Sequence, residues 1–196
     1  MRRLHFGGSF NPIHHGHLIC ARAALETSEF DQIVLVPTAQ PPHKAASATL
    51  ASAADRLAMA QAAVAGDPLF EVDELELRRT GPSYTLDTVR ALKAGGSQQV
   101  HWLIGADMLL YLPHWHQALQ LMREVRFVIM ARPGWVLDWE QLPAEFRHLR
   151  SNVVETPLIS ISATEIRARV SAGLPIDYLC PRPVCEYIES RKLYRQ

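Results

Sequence analysis

Short, continuously apolar runs alternate with helical patterns from the first residues of this chain, and this alternation restricts the fold more than any other feature. Strands are predicted at the four clearest runs, 4–6, 33–36, 100–104 and 126–130. Apolar residues spaced three and four apart predict helices at 16–26, 53–65, 84–93 and 118–124. Because strands that are apolar on both faces need helices on both sides, we predict an α/β fold with a doubly wound parallel sheet.

After Pro157 the pattern changes to helix upon helix, at 163–172 and 182–191. The length of 196 residues suits a single domain, and the sequence contains no internal repeat or low-complexity linker. We therefore predict one domain over 1–196, with 157–196 as its C-terminal helical part. Segment 38–54, rich in Pro, Ala and Ser, is expected to be a surface loop, either mobile or a plain connector.

Charge and hydrophobicity exclude several classes of partner. Twenty basic residues balance twenty acidic ones, so no positive field would attract nucleic acid. With 48% hydrophobic residues and no apolar run near the length of a membrane span, the chain is predicted to be folded and to have no membrane partner. The apolar stretch at the N-terminus is too short for a secretion signal, which predicts a cytoplasmic location. A homo-oligomer is compatible with the sequence.

Three cysteines, at 20, 180 and 185, form no CxxC pair and are odd in number. This pattern is typical of reduced thiols in a protein core and not of a disulfide framework. We predict that all three are buried and reduced.

The most informative stretch is GGSFNPIHHGHL, residues 7–18, which leaves the first predicted strand and enters the first helix. In an open parallel sheet, ligands bind outside the carboxyl ends of the strands, where this loop lies. Gly7 and Gly8 let the backbone approach a ligand, and amides at a helix start point at anions. His14 and His17 are about one helical turn apart, so both imidazoles can face one group. This arrangement suits a phosphate.

This stretch could also be another kind of phosphate-binding loop, a metal site or a group of surface histidines. The sequence has neither GxGxxG nor GxxxxGK[ST], so dehydrogenase-type and P-loop phosphate sites are excluded. His14, His15 and His17 could bind zinc or nickel, but no cysteine or carboxylate stands beside them to complete a tetrahedral set. We predict no metal ligand from the protein. A cluster of unrelated surface histidines is the remaining alternative.

Two motifs at opposite ends of the chain carry a resemblance. GSFNPIHHGH resembles the HxGH signature of the nucleotidyltransferase superfamily, and ISATEIR at 161–167 resembles its second signature. The first follows a predicted strand and the second opens a predicted helix. Ser162 and Thr164 can also be explained as helix caps with Glu165 in the first turn, but capping does not explain Arg167.

Further segments are similar to one branch, the bacterial nicotinate-nucleotide adenylyltransferases. They are IGADMLLYLPHW at 104–115, ARPG at 131–134, SYTLDTV at 83–89 and YLCPRPVCEYIESRKLY at 178–194, so the likeness spans nearly the whole chain. Many members carry Asp where this chain has Asn11. That change removes a negative charge near the histidines but leaves the phosphate-facing residues in place.

The resemblance implies transfer of AMP from ATP to the 5′-phosphate of nicotinate mononucleotide, which gives nicotinate adenine dinucleotide and pyrophosphate in NAD biosynthesis. ATP would be the co-substrate, and Mg²⁺ would be held mainly by the ATP phosphates. One alternative is an enzyme that prefers nicotinamide mononucleotide or another small phosphorylated acceptor. A second is a non-catalytic nucleotide sensor. The sequence does not distinguish the acid from the amide substrate.

Roles for the phosphate-facing residues follow from the same resemblance. His17 would contact the α-phosphate in the transition state, and His14 would help to hold the triphosphate. Arg167, with Ser162 and Thr164, would grip the β- and γ-phosphates. The nucleotide is also expected to contact Gly7, Gly8, Ser9, Phe10 and Gly105.

The remaining predicted contacts are with the ribose and the second substrate. Asp107 would bind the adenosine ribose hydroxyls, or else cap a helix. Trp115 would stack on the pyridine ring, or else be half-buried packing. Thr85 lies in the segment that reads the nicotinate carboxylate. Lys44 is expected near the phosphates, although an exposed lysine is usually a solvated charge, and Arg132 in ARPG is expected to contact substrate.

Overall fold

The computed structural model describes residues 1–42, 49–131, 134 and 138–195, and in these residues it contains a six-stranded sheet. Its strands are β1 Arg3–Gly8, β2 Gln32–Pro37, β3 Phe70–Val72, β4 Val100–Gly105, β5 Val125–Ala131 and β6 Val153–Glu155. The order is β3-β2-β1-β4-β5-β6, and the β1–β4, β4–β5 and β5–β6 pairs are parallel. This order reverses beside β1, which is the ligand-binding position of doubly wound sheets. The predicted fold class is confirmed.

Helices connect the strands at the predicted places. They are α1 His15–Glu26, α2 Ala53–Val64, α3 Thr85–Ala94, α4 Ala106–Leu109, α5 Ala118–Glu124, α6 Ala163–Ser171 and α7 Arg182–Ser190. Short 3-10 helices lie at Leu75–Arg78, Leu112–His114, Trp139–Gln141 and Ala144–Asn152. Helix α2 begins where predicted because Ser52 caps it, its side chain accepting the N–H of Asp55 at 3.0 Å.

The central strands are buried over most of their length, which explains why their sequences lack a polar face. In β2 the five residues after Gln32 are buried, and in β4 four of six residues are. The predicted strands match β1, β2, β4 and β5. Strands β3 and β6 were not predicted, because each has only three residues and so gives no recognisable periodicity.

Two further expectations concern single features. All three cysteines lie in the described part of the chain and none is in a disulfide, but only Cys180 is buried, whereas Cys20 and Cys185 are half-buried. The prediction that all three are core residues is therefore wrong for two of them. Their side chains sit on helices, where only one face is covered. Of the helices described, none combines the length and apolar character needed for a membrane span.

Contacts divide the chain into two compact units. The first comprises Met1–Gly7, Cys20–Val34 and Tyr84–Leu158, and its core is built on the parallel β1, β4 and β5 strands. The second comprises Gly8–Ile19, Leu35–Ser83 and Ile159–Gln196, where α7 packs on α2. Both motifs of the sequence analysis, from Gly8 onward, belong to the second unit.

Candidate active site

The first motif of the second unit turns directly into a helix. Helix α1 begins at His15, and the carbonyl of His14 accepts the N–H of His17 at 3.0 Å. The N–H of His15 donates to the carbonyl of Leu179 at 3.0 Å. The first N–H groups of a helix have no partner within the helix, and here one of them is bonded to the C-terminal part of the chain. This hydrogen bond helps to fix the direction of α1.

His14 is buried and uncharged at neutral pH. Its side chain is 5% exposed, and burial, with a smaller effect of the neighbouring His15, lowers its pKa to about 4. Its Nδ1 atom has no hydrogen-bond partner in the described part of the chain. A Cβ at Gly16 would lie 3.0 Å from this atom, so a side chain at position 16 would crowd the His14 ring.

The depressed pKa of His14 makes a prediction for acid stability. Its value in the folded chain, about 4, lies below its ordinary 6.5, so the folded state excludes a proton that the unfolded state binds. The stabilising contribution is complete above pH 6.5 and is lost as the pH falls towards 4. From this group alone, we expect the free energy of unfolding to drop by about 2 kcal/mol between pH 7 and pH 5.

Urea unfolding of the wild type and His14→Gln at both pH values measures this contribution. The variant lacks the titrating ring, so its unfolding free energy should fall by about 2 kcal/mol less over the same range. Burial also lowers the pKa of His101, but that contribution is common to both proteins and cancels. Equal pH slopes in the two proteins would contradict the assignment.

Contacts with Phe10 and His14 orient His17. Its ring stacks on that of His14 with centroids 3.7 Å apart and planes 23° apart, and Phe10 meets it edge-on at 5.3 Å. The backbone N–H of His14 donates to its Nδ1 at 3.3 Å. Because Nδ1 is an acceptor there, the proton of the neutral ring is on Nε2. The N–H of the neutral His17 ring is therefore at Nε2.

Arg167 brings the second motif to the first. Its Nη1 donates to the carbonyl of Asn11 at 2.9 Å and its Nη2 donates to Thr164 Oγ1 at 3.3 Å. The Nε of Arg167 is buried and has no partner among the residues described. The two motifs, remote in the chain, therefore meet within the second unit.

Ser162 caps α6, as one interpretation of the motif predicted. Its hydroxyl accepts the N–H of Glu165 at 3.2 Å. Thr164 does not cap; it receives the guanidinium of Arg167. The cap fixes the first turn of α6, and with it the position from which Arg167 reaches the first motif.

Two further residues hold the first motif in place. The side chain of Asn11 accepts the N–H of Ala51 at 3.0 Å and donates to the carbonyl of Thr49 at 3.0 Å. Arg56 is fully buried and donates to the carbonyls of Ser9, Ala39 and Ala51 at 2.8, 2.9 and 3.0 Å. Burial lowers the pKa of Arg56, whereas Tyr194 and Glu76 act in the opposite direction.

The glycines of the first motif make room for aromatic rings of the chain itself. In the first unit, a Cβ on Gly7 would collide with the ring of Trp102. In the second, a Cβ on Gly8 would lie 2.9 Å from the ring of Phe10. Both positions therefore require glycine for packing, and contact with a nucleotide stays a prediction for them.

In the first unit, the GAD segment forms the junction of β4 and α4. Gly105 is the N-cap of α4, and Asp107 is exposed in its first turn. The alternative in which Asp107 caps the helix is therefore wrong, because the cap position is two residues earlier. A Cβ on Gly105 would collide with the Asp107 carboxylate, so the glycine allows this side chain its position.

Thr85 and Trp115 also lie in the first unit. Thr85 is the first residue of α3 and is partly exposed. Trp115 is partly exposed and meets buried Phe127 edge-on, with ring centroids 6.4 Å apart. Sequence reasoning did not find that Tyr84, the N-cap of α3, stacks on His116 at 4.1 Å. A helix start beside an aromatic pair offers both backbone donors and a flat apolar surface.

Some predicted residues lie outside the described part of the chain, and these are Lys44 and Arg132. Within the described ranges, no group of three or more His, Cys, Asp or Glu side chains could hold a metal ion. The stacked rings of His14 and His17 present faces to each other, which is not how imidazoles share a metal.

Sequence reasoning missed Arg56 and Tyr194 as members of this network. One signal for Arg56 was available: it is three and four residues before Met59 and Ala60, on the buried face of α2, where a charge is unusual. Tyr194 gave no such signal, because its contact with Asn11 spans 183 positions.

A doubly wound parallel sheet, with a first strand that leads into a histidine-bearing helix start, defines a nucleotide-binding α/β protein. The cytidylyltransferase-like family model matches residues 5–169. The chain belongs to this family and, within it, to the nicotinate-nucleotide adenylyltransferases.

Relatives support this assignment along the whole chain. A "probable nicotinate-nucleotide adenylyltransferase" of Herpetosiphon aurantiacus is 42% identical over 96% of this chain and 96% of its own length. One of the same name from Geobacillus thermodenitrificans is 42% identical over 96% and 84%. The nicotinic acid mononucleotide adenylyltransferase of Plasmodium falciparum, solved with NaAD, shares the fold, with a TM-score of 0.72 at 18% identity over 99% of this chain and 98% of its own.

Proposed function

We propose that this chain is an adenylyltransferase that moves AMP from ATP onto nicotinate mononucleotide, giving nicotinate adenine dinucleotide and pyrophosphate in NAD biosynthesis. The names of relatives that are 42% identical over nearly the whole chain support this reaction and ATP as a substrate. The structural observation that carries the proposal is the contact between Arg167 and Asn11, which joins a cation to the histidine-bearing helix start.

The reaction is a displacement in which the phosphate of the acceptor attacks the α-phosphorus of ATP and pyrophosphate leaves. Both reactants are anions, so the protein must align them and neutralise the charge that spreads over the phosphoryl oxygens. His17 would donate a hydrogen bond from Nε2 to the α-phosphate. His14, neutral because of burial, would contribute a hydrogen bond and no charge.

Positive charge at this position would come from Arg167. A guanidinium can hold two phosphate oxygens at once and keeps its proton in proteins. Nη1 and Nη2 each carry two N–H groups, so beside their bonds to Asn11 and Thr164 each can donate to a pyrophosphate oxygen. Thr164 would assist through the hydroxyl that already holds Arg167, whereas Ser162 would act mainly by capping α6.

Magnesium would enter as part of the MgATP substrate. The described residues contain no cluster of ligands for it, and this ion prefers phosphate oxygens and water. Bound to the triphosphate, the ion would offset part of its negative charge, and no protein side chain is proposed to coordinate it.

The remaining site residues are proposed from the family resemblance. Asp107, exposed in the first turn of α4, would accept hydrogen bonds from the adenosine ribose. Thr85 at the start of α3 would meet the nicotinate carboxylate, and Trp115 would stack on the pyridine ring. The nucleotide would be bordered by Gly7, Gly8, Ser9, Phe10 and Gly105. Lys44 is proposed to lie near the phosphates, and Arg132 to contact substrate.

The whole chain is proposed to act as one nucleotidyltransferase domain, with 157–196 as its C-terminal helical part. Support comes from the hydrogen bond of His15 to Leu179, by which that part anchors the first motif. A cytoplasmic location is consistent with the absence of a disulfide among the three cysteines, all of which are described. A homo-oligomer stays a prediction.

Pyrophosphate release with defined substrates tests the proposed function. We expect release only when MgATP and a pyridine mononucleotide are both present, and faster release with the nicotinate form than with the nicotinamide form. A site that pairs with a carboxylate can reject an amide strongly, because its buried donors are left unpaired. Release with ATP alone would indicate hydrolysis, and equal rates with both mononucleotides would contradict recognition of the carboxylate.

A further inference from the structure

The C-terminal tail reaches back to the first motif in the second unit. Tyr194 lies four residues after the end of α7, and its hydroxyl donates to Asn11 Oδ1 at 2.8 Å. Burial raises the pKa of Tyr194, although the cations of Arg167 and Arg56 are near enough to oppose this effect. The phenol therefore keeps its proton and acts as a donor.

The side-chain amide of Asn11 has one possible orientation. Its Oδ1 faces the backbone N–H of Ala51, which can only donate, and its Nδ2 faces the backbone carbonyl of Thr49, which can only accept. Tyr194 adds a second donor to Oδ1. With three partners and a residue that is 8% exposed, Asn11 has little freedom to move.

The backbone of Asn11 in turn holds Arg167. The carbonyl of Asn11 accepts Nη1 at 2.9 Å, while Thr164 receives Nη2 at 3.3 Å. Two fixed acceptors on two nitrogens define the plane of the guanidinium. A change at the Asn11 side chain is therefore transmitted through one residue to the cation.

We propose that Tyr194 is a positioning residue for Arg167: through Asn11, the C-terminal tail sets the orientation in which the guanidinium meets the triphosphate of ATP. This inference rests on the proposed function, because it assigns Arg167 to the phosphates. The C-terminal tail, which belongs to neither sequence motif, would then contribute to ATP binding.

Tyr194→Phe removes only the hydroxyl and tests the inference. Losing one hydrogen bond of this kind should raise KM for MgATP about threefold to tenfold, with KM for nicotinate mononucleotide unchanged. Tyr187→Phe is the matched control. Its hydroxyl also ties the C-terminal part down, to Asp55 Oδ1 at 3.0 Å, and within the described residues Asp55 bonds to Ser52, Tyr187 and Arg191 but not to Arg167. We expect less than a twofold change in KM for MgATP in the control.

A double-mutant cycle separates positioning from general loosening of the tail. If Tyr194 acts through Arg167, then Tyr194→Phe should have no further effect on MgATP binding once Arg167→Ala is present. An equal effect in both backgrounds, or a change below twofold in the wild-type background, would overturn the inference.

The same double-mutant cycle can be measured by calorimetry, as the dissociation constant of MgATP for each variant, without any turnover. If the wild type binds MgATP but releases no pyrophosphate with nicotinate mononucleotide, the proposed function fails while the cycle still decides the role of Tyr194. If the wild type does not bind MgATP, both are overturned.

Discussion

Replacing His17 with alanine is expected to lower turnover by about a hundredfold or more while the fold remains intact. The loss corresponds to the removal of one preoriented donor that acts on charge developing in the transition state. The structure shows how the His17 ring is oriented. It stacks on His14, and because its Nδ1 accepts a hydrogen bond, the proton of the neutral ring is on Nε2. Alanine favours the helix, so the substitution should not disturb α1.

The measurement is kcat for pyrophosphate release with saturating MgATP and nicotinate mononucleotide. His15→Ala is the matched control, because it removes the neighbouring imidazole of the same helix start, for which no contact with phosphate is proposed. We expect its kcat to be within about threefold of the wild type, because His15 is not proposed to meet the charge that develops in the transition state. If His17→Ala kept near-normal turnover with normal thermal unfolding, His17 would have no role in the transition state.

Much of this site could be predicted from sequence because it depends on local pattern. The run IVLV predicts β2, and the apolar spacing at 16–26 predicts the helix that begins at His15. The late motif could be placed at a helix start because Ser162 is a typical cap. These signals need only neighbouring residues, so a single sequence contains them.

Other properties depend on tertiary packing and could not be predicted in the same way. His14 is neutral because it is buried. Its ring fits there because Gly16 has no side chain. The sequence shows that Asn11 replaces Asp but not what the amide does: it donates to the carbonyl of Thr49, which a carboxylate cannot do. These contacts come from segments tens of residues away.

The charge at this site is divided between residues in a way that the motif letters do not reveal. Burial keeps His14 uncharged, whereas the guanidinium of Arg167 keeps its positive charge and is bonded to the carbonyl of Asn11 in the first motif. A second buried guanidinium, that of Arg56, points at backbone carbonyls. The two arginines therefore differ in purpose: Arg167 is proposed for phosphate binding and Arg56 for stability.

Arg56→Met is expected to lower the free energy of unfolding by about 3 kcal/mol or more. The carbonyls of Ser9, Ala39 and Ala51 each lose a donor on a fully buried side chain, and each acceptor left without its partner costs about 1 kcal/mol or more. Methionine has a similar length and no charge, so packing is largely preserved and the loss reports the hydrogen bonds. For a chain of this size, the midpoint of thermal unfolding should fall by about 6 to 12 °C.

Urea unfolding measured beside Arg191→Met provides the comparison. Arg191 pairs with Asp55 at 3.4 Å, but its side chain is 61% exposed, so the same substitution there should cost less than about 1 kcal/mol. A similar small cost at Arg56 would mean that water or neighbouring groups replace the guanidinium. A large cost means that the first motif, from Ser9 onward, is held by a cation that never meets the substrate, and that stability and phosphate binding at this site depend on different arginines.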